Sequence, residues 1–263
     1  MKLVPKQPLE TADVSRGKLS WPVVLRTFAG AILFFVVAYL LLALVGSWVG
    51  SKMPDSWEAK VGRTLDSHVF GQPVEEGDSR FEDLAELEAI FAELTADTDL
   101  RDLPYQIQIL KDPMPNAFAV PGGTIFFTSG LLELVESRAG RAFVLAHELG
   151  HHEQRHVFRN VGRTAAVQIL AASLGVGSLD GAIFGPANQS NSRAMEKEAD
   201  EFALRLTLEK LGDSEEILEF LDNVLAQERR RSRLLSYLET HPMTEDRINH
   251  LEALRYRLLT EEP

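Results

Sequence analysis

Cysteine is absent from the 263 residues, which excludes disulfide bonds and thiolate ligands to a metal. Any metal would have to be held by histidine and carboxylate side chains. Positive charge is also scarce, with 27 Lys and Arg residues against 39 Asp and Glu residues and a net charge of -12. Binding to nucleic acid needs a basic surface that neutralises the phosphates. Because this chain is acidic, we expect no nucleic-acid partner.

The N-terminal segment is net basic, unlike the rest of the chain, and it lies beside a long uncharged run. Residues 1–26 carry five basic and two acidic groups, and the 24 residues at 27–50 carry no charge. A helix of that length rises about 36 Å, enough to cross a hydrocarbon core of about 30 Å. We therefore predict a basic segment at 1–26 and a transmembrane helix at 27–50 that contacts membrane lipid. A cleaved signal peptide is the alternative, but its apolar part is shorter, about 7–15 residues.

The charge pattern also predicts an orientation. A basic segment before a span tends to stay cytoplasmic, which places the acidic remainder on the opposite face, the periplasm in a Gram-negative cell. A second apolar stretch at residues 164–177 has 14 residues, too few for a comfortable span. We expect a helix that packs over the domain or lies at the membrane face, with a second span as the alternative. Residues 164–191 join the two helices that carry the candidate metal ligands, so a lid formed by this longer segment is a further hypothesis.

The remaining pattern predicts an α+β domain that is mainly α. Residues 51–80 resemble a linker, and residues 81–263 form the predicted domain. Apolar residues recur at helical spacing in residues 81–95, whereas Tyr105, Ile107 and Ile109 alternate as in a half-buried strand. Residues 116–120 and 124–128 read as two strands joined by a Pro-Gly-Gly turn. Further predictions are a loop at 181–192 and helices at 140–156, 196–211, 214–231, 233–239 and 244–259.

The chemistry is concentrated in His147-Glu148-Leu149-Gly150-His151. Residues four apart lie on one face of a helix, so His147 and His151 can direct their imidazoles at one ion. Glu148 lies about 100° around the helix, where it can reach a water molecule on the metal rather than the metal itself. Gly150 costs helix propensity, about 1 kcal/mol, and allows another helix to approach closely. A chance occurrence on an exposed amphipathic helix is the alternative.

A catalytic zinc site needs a third protein ligand, and Glu196 is the candidate. It begins a predicted helix on which Asp200 lies four residues later, so Asp200 can accept the second N–H of a ligating histidine. Glu198 is expected to point elsewhere, and His152 and His156 are expected to support the ligands or to lie at the surface rather than to bind the metal. A solvated acidic helix face is the alternative reading.

With these motifs the sequence resembles metallopeptidase family 48, the gluzincins of the HtpX and CAAX prenyl-protease type. His-Glu-Leu-Gly-His is followed about forty residues later by Ser-Arg-x-x-Glu-x-Glu-Ala-Asp at 192–200. Residues 116–123 resemble the family's strand motif, and His241-Pro242 with Arg247-Ile248 resembles its C-terminal element. One predicted span makes the layout closest to the single-span or periplasmic quality-control members.

The resemblance implies a zincin-like gluzincin fold with a small β-sheet and one Zn²⁺ per chain. His147, His151 and Glu196 would bind the metal, Glu148 would be the general base, and Asp200 would orient a ligand. The same resemblance places His241 and Arg247 near the zinc as catalytic residues that stabilise the oxyanion; alternatively, His241 ligates the metal in a resting state. The substrate-binding strand would be Asn116, Ala117, Phe118 and Ala119.

The expected function is a membrane-anchored zinc endopeptidase of protein quality control. Its substrates would be misfolded, unfolded or membrane-associated proteins, because an edge strand that pairs with peptide backbone has weak sequence preference. One alternative is a chaperone-like zinc protein that binds unfolded chains without cleaving them. Another is an anchored interaction protein with no metal. The intact Glu148 favours catalysis, since a binding module has no need of it.

Overall fold

The structure is a computed structural model, and it describes residues 20–64, 70–173, 192–212, 216–217, 220–221, 241 and 244–260. The chain divides into two compact units, Met1–Leu41 and Leu42–Pro263. The predicted helices at 214–231 and 233–239 and the predicted loop at 181–192 fall almost wholly outside the described residues. The division into a span, a linker and a domain stays a prediction.

The first helix, α1, spans Trp21–Lys52 and contains the whole uncharged run. Its most apolar 18-residue window has a mean hydropathy of 2.8, and no residue of that window is buried. Among the described residues, α1 is the one helix whose length and composition would allow it to cross a membrane. The helix therefore has the properties expected of the predicted span.

A small mixed sheet follows. Strands β1 (Gln106–Leu110), β2 (Ala117–Val120) and β3 (Thr124–Thr128) are arranged in the order β1-β3-β2. β1 pairs with β3 in parallel and β2 pairs with β3 antiparallel, so the predicted hairpin is present. Gly122 and Gly123 make its turn with φ of 97° and 95°, a backbone region that glycine enters without strain. Within the described part of the chain, β2 forms an edge of this sheet.

The other elements are helical, which confirms the mainly α class. They are α2 (Asp55–Gly62), α3 (Phe81–Thr95), α4 (Ser129–Leu134), α5 (Arg138–Glu153), α6 (His156–Ser173), α7 (Arg193–Leu211) and α8 (Glu245–Thr260). The core lies where the sheet, α3 and α7 pack around α5. The amphipathic stripe of α3 faces it through Leu87, Ile90 and Leu94, which are fully buried. α5 is buried from Ala139 to His152 and so runs through the middle of the domain.

The predicted continuous helix at 140–156 is wrong at its end. α5 stops at Glu153, and Arg155 takes a left-handed backbone with φ of 59° before α6 begins. The Arg155 guanidinium donates to the Met53 carbonyl oxygen at 2.6 Å and to Asp55 Oδ1 at 2.7 Å. These contacts lie about one hundred residues away in sequence, so the local pattern carries no trace of them.

A buried ionic cluster ties α2 to the end of α5. The Arg101 guanidinium contacts Asp55 at 2.7 Å, Glu58 at 2.5 Å and the His152 carbonyl oxygen. Burial acts to raise the pKa of Glu58, but His152 and Arg101 outweigh it and lower that pKa below the ordinary range. Glu58 therefore stays ionised although it is fully buried, and the segment after α1 is fixed to the helix that carries the motif.

Candidate metal centre

The motif helix α5 is positioned by its cap and by a close contact with α7. Ser137 Oγ accepts a hydrogen bond from the Gly140 amide at 3.1 Å, which satisfies a free N–H at the helix start. At the other end, a methyl group added to Gly150 would lie 3.1 Å from Ala199 Cα and 3.2 Å from Phe202 Cδ1. The glycine therefore lets the two helices approach closely, as the sequence predicted.

Four side chains from three stretches of chain meet beside Gly150. His147 and His151 come from α5, Glu196 comes from the first turn of α7, and His241 lies ahead of α8. Their candidate ligand atoms all lie within 4.8 Å of one another, and all four residues are buried. The sequence analysis named each of these residues, and the fold brings all of them together.

The spacing of these atoms suits a small cation. His147 Nε2 lies 3.1 Å from His151 Nε2 and 3.3 Å from His241 Nδ1. The Glu196 carboxylate lies 3.4 Å from His147 Nε2, 3.5 Å from His151 Nε2 and 3.1 Å from His241 Nδ1. Four nitrogen and oxygen ligands placed tetrahedrally about 2.0–2.1 Å from zinc would be about 3.3–3.4 Å apart. The five separations above are close to these values, and a donor set of three imidazoles and one carboxylate suits zinc in its chemistry.

The ligand candidates are held from behind by further charged groups. His147 Nδ1 lies 3.0 Å from Asp200 Oδ1, the contact predicted for a residue that orients a ligand. Arg247 binds Asp200 through two donors at 2.7 Å each and reaches Glu196 at 3.2 Å. Arg247 therefore lies near the cluster as expected, with its guanidinium engaged by the two carboxylates.

Two side chains outside the four contact the cluster, and one of them, Glu198, was not expected there. His156 is fully buried, and its Nδ1 lies 2.9 Å from His151 Nδ1. Its other nitrogen lies 2.9 Å from Glu198 Oε2, so Glu198 does not point away from the site as expected. The break at Arg155 turns α6 so that His156 faces back toward the cluster. The spacing of His151 and His156, five residues, gives no helical signal for this contact.

Burial and charge act against each other in the cluster. Burial disfavours a charged His147, but hydrogen bonds to Asp200 and Glu196 more than offset it and raise the pKa of His147 to about 10. Burial, with the neighbouring histidines, lowers the pKa of His151 well below its usual value. Burial acts to raise the pKa of Glu196, yet His241 and His147 lower it far below the ordinary range. The carboxylates thus favour positive charge here, and protons compete with a metal as pH falls.

Glu148 lies next to the cluster but is not one of its four members. It is buried, and neither carboxylate oxygen has a hydrogen-bond partner in the described part of the structure. His241 Nε2 lies 3.3 Å from Glu148 Oε1 without hydrogen-bond geometry. A buried carboxylate without a hydrogen bond is costly, so a water molecule or another hydrogen-bond donor beside Glu148 would be favoured.

The predicted substrate strand lies against the motif helix. α5 packs against β2, whose residues Ala117, Phe118 and Ala119 are buried. Asn116, just before β2, is 7% exposed, and its backbone N–H donates to Thr128 Oγ1 at 2.7 Å. All four residues of β2 are buried, so its role as a substrate-binding strand stays a prediction.

This fold and cluster define a zincin-type metallopeptidase domain. Residues 82–255 match the family model described as peptidase family M48. The chain therefore belongs to peptidase family M48, which confirms the resemblance inferred from the motifs.

Sequence relatives come from mitochondria and bacteria. The mitochondrial metalloendopeptidase OMA1 of Schizosaccharomyces pombe is 32% identical over 170 residues, covering 62% of this chain and 50% of the relative. A putative beta-barrel assembly-enhancing protease of Vibrio cholerae is 34% identical over 164 residues, covering 55% and 33%. The protein of that name in Escherichia coli is 29% identical over 161 residues, covering 55% and 33%. The aligned region spans about half of the first relative and a third of the others. With α1, these relatives support a membrane protein.

Proposed function

We propose that this chain is a zinc-dependent endopeptidase in which His147, His151 and Glu196 are the protein ligands and Glu148 is the general base. The observation that carries the proposal is the set of buried donor atoms, all within 4.8 Å of one another, beside a buried carboxylate that has no hydrogen bond. Two histidines and a glutamate are one of the ligand sets of catalytic zinc, which leaves a further position for water or substrate.

Bound zinc would polarise the scissile carbonyl group and lower the pKa of water to about 7. Glu148 then takes the proton of the attacking water and delivers it to the leaving amine nitrogen. Asp200 fixes the ring and the tautomer of His147, and Arg247 holds Asp200 and Glu196 in place. The oxyanion role of Arg247 stays a prediction, and its contacts support this positioning role.

His241 has two possible roles, and its contacts favour the resting-state one. Its Nδ1 lies among the ligand atoms and its Nε2 lies 3.3 Å from Glu148. It thereby takes the fourth position around the cluster, where water or substrate has to bind. We infer that this arrangement is a latent form of the site.

Replacing His241 with alanine is therefore expected to keep the metal and to raise the rate of cleavage several-fold, because the fourth position is vacated. The measurement is the initial rate on an unfolded protein at matched zinc content. His250→Ala is the control, since His250 binds Glu201 away from the cluster. A loss of about 10²-fold or more would instead assign His241 to oxyanion stabilisation.

For the cellular role, we propose protein quality control at a membrane. Residues 27–50 would cross the membrane with residues 1–26 in the cytoplasm and the catalytic domain in the periplasm. Unfolded or membrane-associated proteins would bind by backbone pairing with β2, which suits substrates of varied sequence. Digestion of the domain by protease added to spheroplasts tests the orientation, and protection of the domain would overturn it.

The purified full-length chain in detergent tests the proposed activity. We expect about one zinc per chain and cleavage of casein, with activity lost on chelation and restored by added zinc. One zinc without cleavage of casein or of membrane proteins would support the chaperone-like alternative. Protein that carries no zinc and recovers none on reconstitution would support the interaction protein without metal.

A further inference from the structure

Helix α6 packs on the last turns of α1 through three glycines. A methyl group added to Gly46 would lie 2.8 Å from Ala166 Cβ and would overlap the Gly162 carbonyl oxygen. One added to Gly50 would overlap the Phe158 carbonyl group, and one added to Gly162 would overlap the Gly46 carbonyl oxygen. The two backbones therefore touch, the kind of contact that small residues four apart make between helices in membranes.

The register of this contact sets the direction of α6. Gly46 faces residues 162 and 166, and Gly50 faces residues 158 and 162, so the two segments are antiparallel. Phe158 therefore lies beside the end of the uncharged run of α1, and Ala166 lies one turn further inside that run, beside Gly46. From Gly162 to Ser173 it rises about 16 Å.

The charged residues of α6 end close to where the helix contacts the last turns of α1. Arg159 and Arg163, half-buried and one turn apart, are its last charged residues, and residues 164–173 carry none. Neither arginine forms an ion pair with a carboxylate of the described residues, and Lys52 ends α1 at the same level. Basic side chains just ahead of an uncharged helical segment suit the phosphate groups of a lipid surface.

We propose that residues 164–173 of α6 insert into the lipid bilayer beside the last turns of α1 and do not cross it. The segment is too short for a span, and its partner in the contact is the uncharged end of α1. This insertion rests on α1 being in the membrane and does not depend on peptidase activity. Because α6 starts at His156, which contacts His151, insertion also holds the metal centre close to the membrane surface.

Single-cysteine labelling of the full chain tests the insertion, since the sequence has no cysteine of its own. Variants Ala165→Cys, Leu44→Cys and Gln154→Cys would each carry a polarity-sensitive fluorophore in phosphatidylcholine/phosphatidylglycerol vesicles. Leu44, on α1, is 68% exposed, and Gln154 is exposed in the turn before α6. We expect nitroxide-labelled acyl chains to quench the fluorophore at position 165 as strongly as the one at position 44. Aqueous iodide should quench only the fluorophore at position 154. Iodide quenching at 165, or protection there from both quenchers, would overturn the proposal.

The glycine contact has a matched control on the same helix. Gly46→Leu in the Ala165→Cys background should lower lipid quenching at 165 several-fold, because the leucine cannot fit against Gly162. Gly30→Leu should leave it unchanged, since nothing lies within 4 Å of a methyl group added there. Equal quenching in both variants would contradict the role of the contact. If Gly46→Leu does not fold, as judged by circular dichroism, Gly46→Ala gives the same test with a smaller displacement. None of these measurements uses peptide cleavage, so failure of the insertion is distinguishable from failure of the proposed function.

Discussion

Glu148→Gln is expected to retain zinc at the wild-type level and to cleave an unfolded protein about 10²–10⁴-fold more slowly. Glutamine has the shape of glutamate but cannot take a proton from water. Glu148 is also outside the group of four candidate ligands, so the metal should not depend on its charge. Zinc content by elemental analysis and kcat/KM on casein are the two measurements.

The control for this variant is Glu133→Gln, the same chemical change at an exposed residue paired with Arg80. It should leave both zinc content and cleavage unchanged. A Glu148→Gln protein that cleaves as fast as wild type would show that another group is the base. If the proposal holds, the variant also binds substrates without releasing products, so trapping in its own membrane would identify the natural substrates.

Glu196→Ala is expected to lose most of the bound metal. The change removes a ligand and a buried negative charge, and it leaves His241 Nδ1 and the Arg247 guanidinium facing the gap. Truncating one member of a buried charged network is strongly destabilising, so metal loss has to be separated from unfolding. Glu196→Gln fills the same space as glutamate but lacks its charge. Thermal melting of both variants then shows whether metal is lost from a folded protein or because the protein unfolds.

Glu201→Ala on the same helix is the matched control for metal content. Glu201 is half-buried and bonds His250 at 2.7 Å, away from the candidate ligands. It should keep one zinc per chain. If Glu196→Ala also keeps one zinc per chain, the third ligand is a different residue, and the assignment to a gluzincin site would need another carboxylate.

The parts that the sequence predicted correctly are those that depend on short spacing. His147 and His151 share a helix face because they are four residues apart, and the same rule relates Glu196 to Asp200. The hairpin of β2 and β3 followed from two short strand-like runs on either side of a Pro-Gly-Gly turn. In each case the interacting residues are close in sequence, so local geometry decides the outcome.

The parts that were missed depend on contacts between distant residues. The break before α6 rests on Arg155 reaching Met53 and Asp55, and the role of Glu198 depends on His156 being turned toward it by that break. Arg101 joins Asp55, Glu58 and the end of α5 across more than forty residues. Nothing in the spacing of a single sequence distinguishes these charged residues from solvated ones.

The origin of the four clustered side chains has a consequence for folding. His151, Glu196 and His241 are each separated by 45 residues along the chain, and an ion that binds all three closes two loops of that length. Closing such loops costs conformational entropy, and without a cation the protein must also bring buried carboxylates and imidazoles together unaided. A bound metal would therefore act as a cross-link for the domain, and binding energy would be spent on holding the tertiary structure together.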